Sequence, residues 1–226
     1  MTDTPKRGWS LLDLAEDRAR ALELTPVSRE TLARLDRLVE FFLPWAQRTN
    51  LIARSTIPSI WTRHIADSLQ LLPLAPDAKC WVDLGSGGGF PGLVIACALA
   101  DQDSAAMHLV ESVGKKATFL REAATHLGVH AFVHAVRIED FVKNFRERPD
   151  IVTARALASL DDLLALAQPL LQRGARGLFL KGQDVGVELT KASKYWKIES
   201  ELVPSKTNAD SRVVVVRSVA RRGRGA

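Results

Sequence analysis

"VDLGSGGGFPG", residues 82–92, decides how this chain is read. An apolar run ends in an acid, and four glycines then fall within five positions, Gly85 to Gly89. Glycine loses more conformational freedom on folding than any other residue, so such a cluster marks backbone that must turn sharply or approach a ligand closely. A dinucleotide fingerprint places glycines first, third and sixth. Counted from Gly85, those places hold Gly85, Gly87 and Phe90. The glycine that lets helix and strand pack closely is missing. No Lys-Ser or Lys-Thr follows either, which excludes a P-loop. What stands is G-x-G-x-G, with Gly85, Gly87 and Gly89.

The surroundings of this loop set the fold. From Cys80 onward, short apolar runs alternate with helix-like segments: "CWVDL", "MHLVE", "AFVHAV", "DIVTARA" and "RGLFLKG". This alternation predicts an α/β domain with a parallel sheet covered by helices on both faces. A short polar link is expected after "AFVHAV". Two further runs, "KIESELV" and "RVVVVRSV", have no helix between them. They are expected to pair antiparallel at the sheet's edge, making seven strands in all. In such sheets ligands bind beyond the carboxyl ends of the strands, where the glycine loop lies.

Residues 1–78 read instead as a helical extension. "SRETLARLDRLVEFFLPWAQ" has a capping serine, Ser28, and apolar residues at helical spacing. Pro44 is expected to kink or end this helix. "IPSIWTRHIADSLQLL" predicts another, with Pro58 near its first turn. "LAPDAK" marks the boundary. The sheet domain then spans 79–220, and 221–226 form a basic tail.

The net charge is +5, and residues 181–226 carry ten basic against five acidic residues, so the excess lies there. The final "RSVARRGRGA" has four arginines and no acid. Composition alone suits a solvated tail. The sharper reading makes Arg221, Arg222 and Arg224 a phosphate-binding arm. No apolar run is long enough to span a bilayer, and the first twenty residues do not read as a secretory signal. Cys80 and Cys97 lack metal-ligand spacing and read as core thiols of a reducing compartment. A cytoplasmic monomer without metal or membrane contact is expected.

A nucleoside ligand without pyrophosphate fits the loop, and S-adenosylmethionine (SAM) is one. Its ribose hydroxyls call for a carboxylate acceptor. Glu111, ending the second apolar run twenty-two residues after Gly89, is placed for that role. The third strand's tip should face the adenine, and there "RIEDF" offers Ile138 and Glu139.

Several strings occur in order: "RHIADSL", "DLGSGGGFPG", "ESVGKKATFLRE", "TARALASLDDLL" and "LFLKGQ". Together they resemble the RsmG family, also called glucose-inhibited division protein B. These are 16S ribosomal RNA guanine-N7 methyltransferases. The resemblance covers roughly residues 45–217. It implies a Rossmann-like class I SAM-dependent methyltransferase with an N-terminal helical extension, acting on 16S ribosomal RNA or the small ribosomal subunit. It also implies SAM contacts at Gly85, Phe90, Ile138, Glu139 and Arg155. Glu111 stands where relatives often carry Asp, which changes reach but not charge.

Guanine N7 loses no proton on methylation, so alignment of nitrogen, methyl and sulfur should supply most of the catalysis. No catalytic triad is expected. Arginine's usual grip on guanine O6 and N7 together would mask the nucleophile. Lys181, at the tip of "LFLKG", could take O6 alone, and Arg155 could meet the SAM carboxylate. Each also reads as a solvated strand-end cation, the commoner fate of an isolated Lys or Arg. Arg63, His64, Lys115 and Lys116 are candidates for an RNA face. Arg63 and Asp67, four apart, read as well as a surface ion pair. Lys115 and Lys116 open a helix, where the dipole disfavours cations and an anionic partner would repair the mismatch. A methyltransferase of another RNA, a protein or a small molecule, and a SAM- or nucleotide-binding module without turnover, remain open.

Overall fold

The structure is a computed structural model, described here for residues 10–223. Arg224 lies outside the described residues. Seven strands form one sheet: β1 (Cys80–Leu84), β2 (Ala106–Val110), β3 (Ala131–His134), β4 (Ile151–Arg155), β5 (Arg176–Lys181), β6 (Trp196–Pro204) and β7 (Arg212–Arg221). Their order is β3-β2-β1-β4-β5-β7-β6. The first five pair in parallel, while β7 pairs antiparallel with both β5 and β6. The expected mostly parallel sheet with an antiparallel edge hairpin is what forms. Chain order reverses between β1 and β4, so the glycine loop sits at the switch point, where an open α/β sheet offers a crevice.

Helices cover both faces. On one lie α1 (Leu11–Leu24), α2 (Arg29–Arg48), α4 (Gly92–Leu99) and α5 (Gly114–Leu127). On the other lie α6 (Ile138–Asn144), α7 (Leu160–Leu171) and α8 (Val185–Ala192). The helical leader shares its core with the sheet domain. Phe42 of α2 is fully buried and meets Phe90 and Phe119 edge-on, with ring centroids 5.3 and 5.7 Å apart.

Three sequence expectations need correction. Helix α2 is capped by Ser28, whose hydroxyl accepts from Thr31 N at 3.1 Å, but it runs through Pro44 to Arg48. Proline there removes the donor to the carbonyl of Glu40, and Glu40 is exposed, so water can serve that oxygen. Second, residues 54–74 do not form a regular α-helix. A 3-10 turn (Arg54–Ser59) leads into a π-helical turn (Trp61–Ala66), a short α3 (Asp67–Leu69) and a second 3-10 turn (Leu72–Leu74). Asp17, buried on α1, explains the start of the π turn. One of its carboxylate oxygens accepts from Trp61 N at 2.8 Å and Thr62 N at 3.1 Å, and the other takes the Thr62 hydroxyl. Third, the expected polar link after β3 contains α6, which buries Phe141, Val142 and the following Phe145 at helical spacing.

Among the described residues no helix is long and apolar enough to cross a membrane.

Candidate active site

A cleft of about 720 Å³ opens at the carboxyl ends of β1, β4 and β5, a size usual for small-molecule sites. The glycine loop forms its floor. Gly85 N and Ser86 N donate to the carbonyl of Val110, at 2.9 and 3.0 Å, which pins the loop to the end of β2. Gly87 has φ +54°, and a Cβ there would meet only the Gly85 carbonyl, at 3.7 Å. At Gly87 the loop thus presents bare backbone to open space. Gly89 differs: its φ is +85°, and a Cβ would come within 2.5 Å of Leu93 Cδ1, so this glycine serves packing against α4.

Glu111 supports the loop from below. Its Oε2 accepts from Gly87 N at 2.9 Å and its Oε1 from Val113 N at 2.7 Å. It is 7% exposed and does not line the cleft. Glu111→Ala should therefore cost stability as well as ligand affinity. A hydrogen bond to a charged group contributes about 1.5–3 kcal/mol, and Glu111→Gln, which keeps one acceptor oxygen, should lose less. Denaturant unfolding beside calorimetric SAM titration measures both effects. Unchanged stability would contradict the loop-holding geometry.

Arg155 ends β4 beneath the leader. Its guanidinium donates to the carbonyl of Arg63 at 2.9 Å, contacts the His64 ring, lies 3.7 Å from Asp67 and stacks 5.7 Å over Phe90. Arg63, His64 and Asp67 belong to the leader, so Arg155 ties it to the sheet. Ala156, next to it, lines the cleft with φ 49°, a conformation rare for a non-glycine residue. Lys181 ends β5, bound to Glu188 at 2.6 Å and to the carbonyl of Ala158 at 2.8 Å.

The β6–β7 hairpin tip closes one side. Thr207 donates its hydroxyl to Asp67 at 2.8 Å, and Lys206 N donates to Gln70 at 2.8 Å. The carboxylates lining the cleft are thereby all engaged: Asp17 by the π turn, Asp67 by Thr207, Gln70 and Arg155, and Glu188 by Lys181. Arg20, Arg63, Lys116 and Arg212 also line it, and among the described residues none of them forms an ion pair.

The family model for GidB, described as rRNA small subunit methyltransferase G, matches residues 31–215. The chain belongs to the GidB family. It is 57% identical over 208 residues to "Ribosomal RNA small subunit methyltransferase G" of Bradyrhizobium sp. strain BTAi1, covering 92% of this chain and 94% of that one. It is 55% identical to the protein of the same name from Nitrobacter hamburgensis, covering 97% and 84%. Solved structures share the fold at low identity. Cofactor-bound Rv0187 from MTB has a TM-score of 0.56 at 14% identity, covering 96% of this chain and 99% of that one. A variant of MtNAS in complex with S-adenosylmethionine has a TM-score of 0.54 at 15% identity, covering 91% and 77%. The fold is that of class I SAM-dependent methyltransferases.

In this GidB chain Gly85, Gly87, Phe90, Arg63, His64, Lys116, Arg155 and Lys181 come together around the cleft. Gly89 and Glu111 support it from behind. Ile138 and Glu139 open α6 beyond β3, and neither lines the cleft; Glu139 is exposed and Ile138 packs into the second core. Lys115 is exposed beside Lys116 but is not part of the lining. Arg221 and Arg222 are not brought to the cleft. Lys181 pairs with Arg212 at the cleft end of β7, and Arg221 lies nine residues along the strand, roughly 30 Å at about 3.3 Å per residue. There Arg221 stacks 4.8 Å over Trp196, and Arg222 donates to the carbonyl of Ser193 at 2.8 Å. The final strand therefore extends one residue past 220.

His64 is buried rather than RNA-facing. Its Nε2 meets the Thr56 hydroxyl at 2.9 Å, and burial, with Arg155 and Arg63 nearby, pushes its pKa down to about 2. It is neutral at pH 7. Unfolding lets it protonate below about 6.5, so its contribution is present above that pH and is lost on acidification, at up to about 1.4 kcal/mol per pH unit. Asp83 acts in the opposite sense. Burial raises its pKa to about 6, so its contribution is full below about 3.9 and lost as pH rises through 6. Folded His64→Gln should therefore show a shallower loss of stability than wild type between pH 6.5 and 4.5. Asp83, present in both proteins, cancels in the comparison. Parallel stability curves would place the proton elsewhere.

Asp17 escaped the sequence reading, and Asp67, read there as a surface partner of Arg63, is instead engaged by Arg155, Thr207 and Gln70. Asp17 had a visible signal, since it shares the buried face of α1 with Leu14 and Ala21, where an unpartnered carboxylate would be costly. Asp83 had one too, as an acid within the apolar run "CWVDL"; its carboxylate accepts from Thr153 at 2.9 Å and from Gly92 N at 3.2 Å. The hairpin tip had none, because only the folded sheet carries it over the cleft.

Proposed function

We propose that this protein transfers the methyl group of SAM to N7 of a specific guanine in 16S ribosomal RNA of the small subunit. The observation that carries the reading is the cleft itself. A bare glycine-loop backbone lies at the switch point, and every lining carboxylate is engaged. Four cations without an ion pair among the described residues surround it. That charge pattern suits a polyanion reaching a SAM-type site.

Bound SAM supplies a methyl already activated by its sulfonium. Gly85, Gly87 and Phe90 would hold it, and Glu111, whose oxygens each keep a further lone pair, would accept from the ribose hydroxyls. Ile138 and Glu139, at the end of β3 but outside the cleft lining, are the weaker candidates for a contact with the adenine. Lys181 has one N–H left after Glu188 and Ala158. Directed at guanine O6, that donor would leave N7 free. Glu188 beside it offsets the ammonium charge, which would otherwise oppose the cationic N7-methyl product. Arg155 would set the leader's position rather than grip the SAM tail. Arg63 and Lys116 would meet phosphates, with Arg20 and Arg212; the arm of Arg221, Arg222 and Arg224 is a weaker candidate. A site acting on small subunits would work in the cytoplasm, as a monomer.

Transfer of labelled methyl from SAM to deproteinised 16S ribosomal RNA and to intact small subunits, followed by nucleoside digestion, tests this reading. Label in 7-methylguanosine is the expected result. Label confined to another nucleoside, or to protein, would overturn it.

A further inference from the structure

We propose that Cys80, His108 and Glu147 form a site for one zinc-class divalent ion, at the end of the sheet opposite the cleft. Spacing in the sequence gave no hint of it, because the ligands come from three separate segments. Cys80 opens β1 and His108 lies within β2. Val82 is the register partner of His108, and side chains two apart on a strand share a face. Cys80, Val82 and His108 therefore project from the same side. Glu147 comes from the loop between α6 and β4. That loop is held against β1 by Asp150, whose carboxylate accepts from Lys79 N at 2.8 Å and Cys80 N at 2.9 Å.

The donor atoms of the three residues lie within 4.8 Å of one another. His108 carries the main argument. It is 3% exposed, and its Nε2 is buried without a hydrogen-bond partner. A buried polar atom left unpaired is expensive and asks for an explanation. Glu147 is the nearest charged acceptor, at 3.7 Å, beyond hydrogen-bond length. On the other side of the ring, Nδ1 meets His134 Nε2 at 3.1 Å. A proton donated from Nδ1 to His134 leaves Nε2 as a bare lone pair facing Cys80 and Glu147. Metal-bound histidines are oriented in this way, by a partner on the second nitrogen. Phe132 stacks on the His108 ring at 5.2 Å between centroids, and Phe145 meets it edge-on at 4.8 Å.

The donor set decides the class of ion. One sulfur, one imidazole nitrogen and one carboxylate suit zinc and its neighbours, whereas calcium and magnesium take oxygen. Ligands at the corners of a zinc tetrahedron stand about 3.3–3.6 Å apart, given bond lengths of about 2.0–2.3 Å. Glu147 is the adaptable partner, its side chain being 64% exposed, so its rotation can close the remaining gap. Three protein ligands leave the fourth position to water. The ion would staple the loop before β4 to β1 and β2, far from the methyl-transfer chemistry.

The test uses untagged full-length protein, stripped with a chelator and titrated with Zn²⁺ by calorimetry and Co²⁺ by absorbance. One equivalent should bind, and the Co²⁺ form should show a thiolate-to-cobalt charge-transfer band. Cys80→Ser should abolish that band, and both Cys80→Ser and Glu147→Gln should weaken Zn²⁺ binding at least about tenfold. Glu147 is exposed, so its variant should keep the wild-type circular dichroism and SAM affinity. Absence of binding by the wild type, or equal binding by wild type and both variants, would overturn the site.

Discussion

Gly87→Val should lower SAM affinity by at least about tenfold, equivalent to about 1.4 kcal/mol, in a protein that still folds. The loop's geometry gives two reasons. A valine side chain has open space at this position, since only the Gly85 carbonyl lies within 4 Å of where its Cβ would stand, at 3.7 Å. The branched group would then occupy the volume a cofactor needs rather than collide with the core. In addition, φ +54° is strained for a β-branched residue, at a cost of about 1–3 kcal/mol. Relieving that strain would turn the Gly87 amide away from Glu111. Gly89→Val is the contrasting control. Its Cβ would press on Leu93 Cδ1 at 2.5 Å, so stability should fall first. Calorimetric SAM titration beside thermal unfolding separates the two. Unchanged affinity in folded Gly87→Val would remove this loop from the site.

The loop was legible in sequence because its requirement is local: backbone that must turn without side chains needs glycine, whatever surrounds it. The strands were legible for a similar reason, since a buried parallel strand is a short apolar run. Contacts between distant segments were not. His64 reads as a candidate for an RNA face, yet the π turn that Asp17 begins buries it against Phe90 and Arg155. Lys181 reads as a free strand-tip cation, and Glu188 of α8 is its partner. Cys80 lacked any ligand spacing because His108 comes beside it through strand register and Glu147 through the loop before β4. The position of the arginine-rich end was not legible either. Composition located the charge on the chain, but the antiparallel direction of β7 carries Arg221 and Arg222 away from the cleft while leaving Arg212 beside it.

That geometry moves the RNA prediction from the tail to the rim. Alanine at Arg20, Arg63, Lys116 and Arg212 together should weaken RNA binding by roughly several hundredfold near 0.1 M salt. Each phosphate contact to single-stranded RNA releases about 0.7 of a counterion, so losing four should flatten the plot of log affinity against log salt by about 2.8. SAM affinity should change little, because Gly85, Gly87, Phe90 and Glu111 are untouched. Folding should survive, since none of the four cations forms an ion pair among the described residues. Arg212 does donate to the carbonyls of Ala209 and Ser211, at 2.5 and 2.7 Å, so a triple variant retaining it separates hairpin shape from charge. The comparison protein carries alanine at Arg221 and Arg222, whose place at the far end of β7 predicts a salt slope close to wild type. Should that pair, and not the rim set, flatten the slope, the RNA would run along the amino ends of the strands, and the cleft would receive its guanine from a different direction.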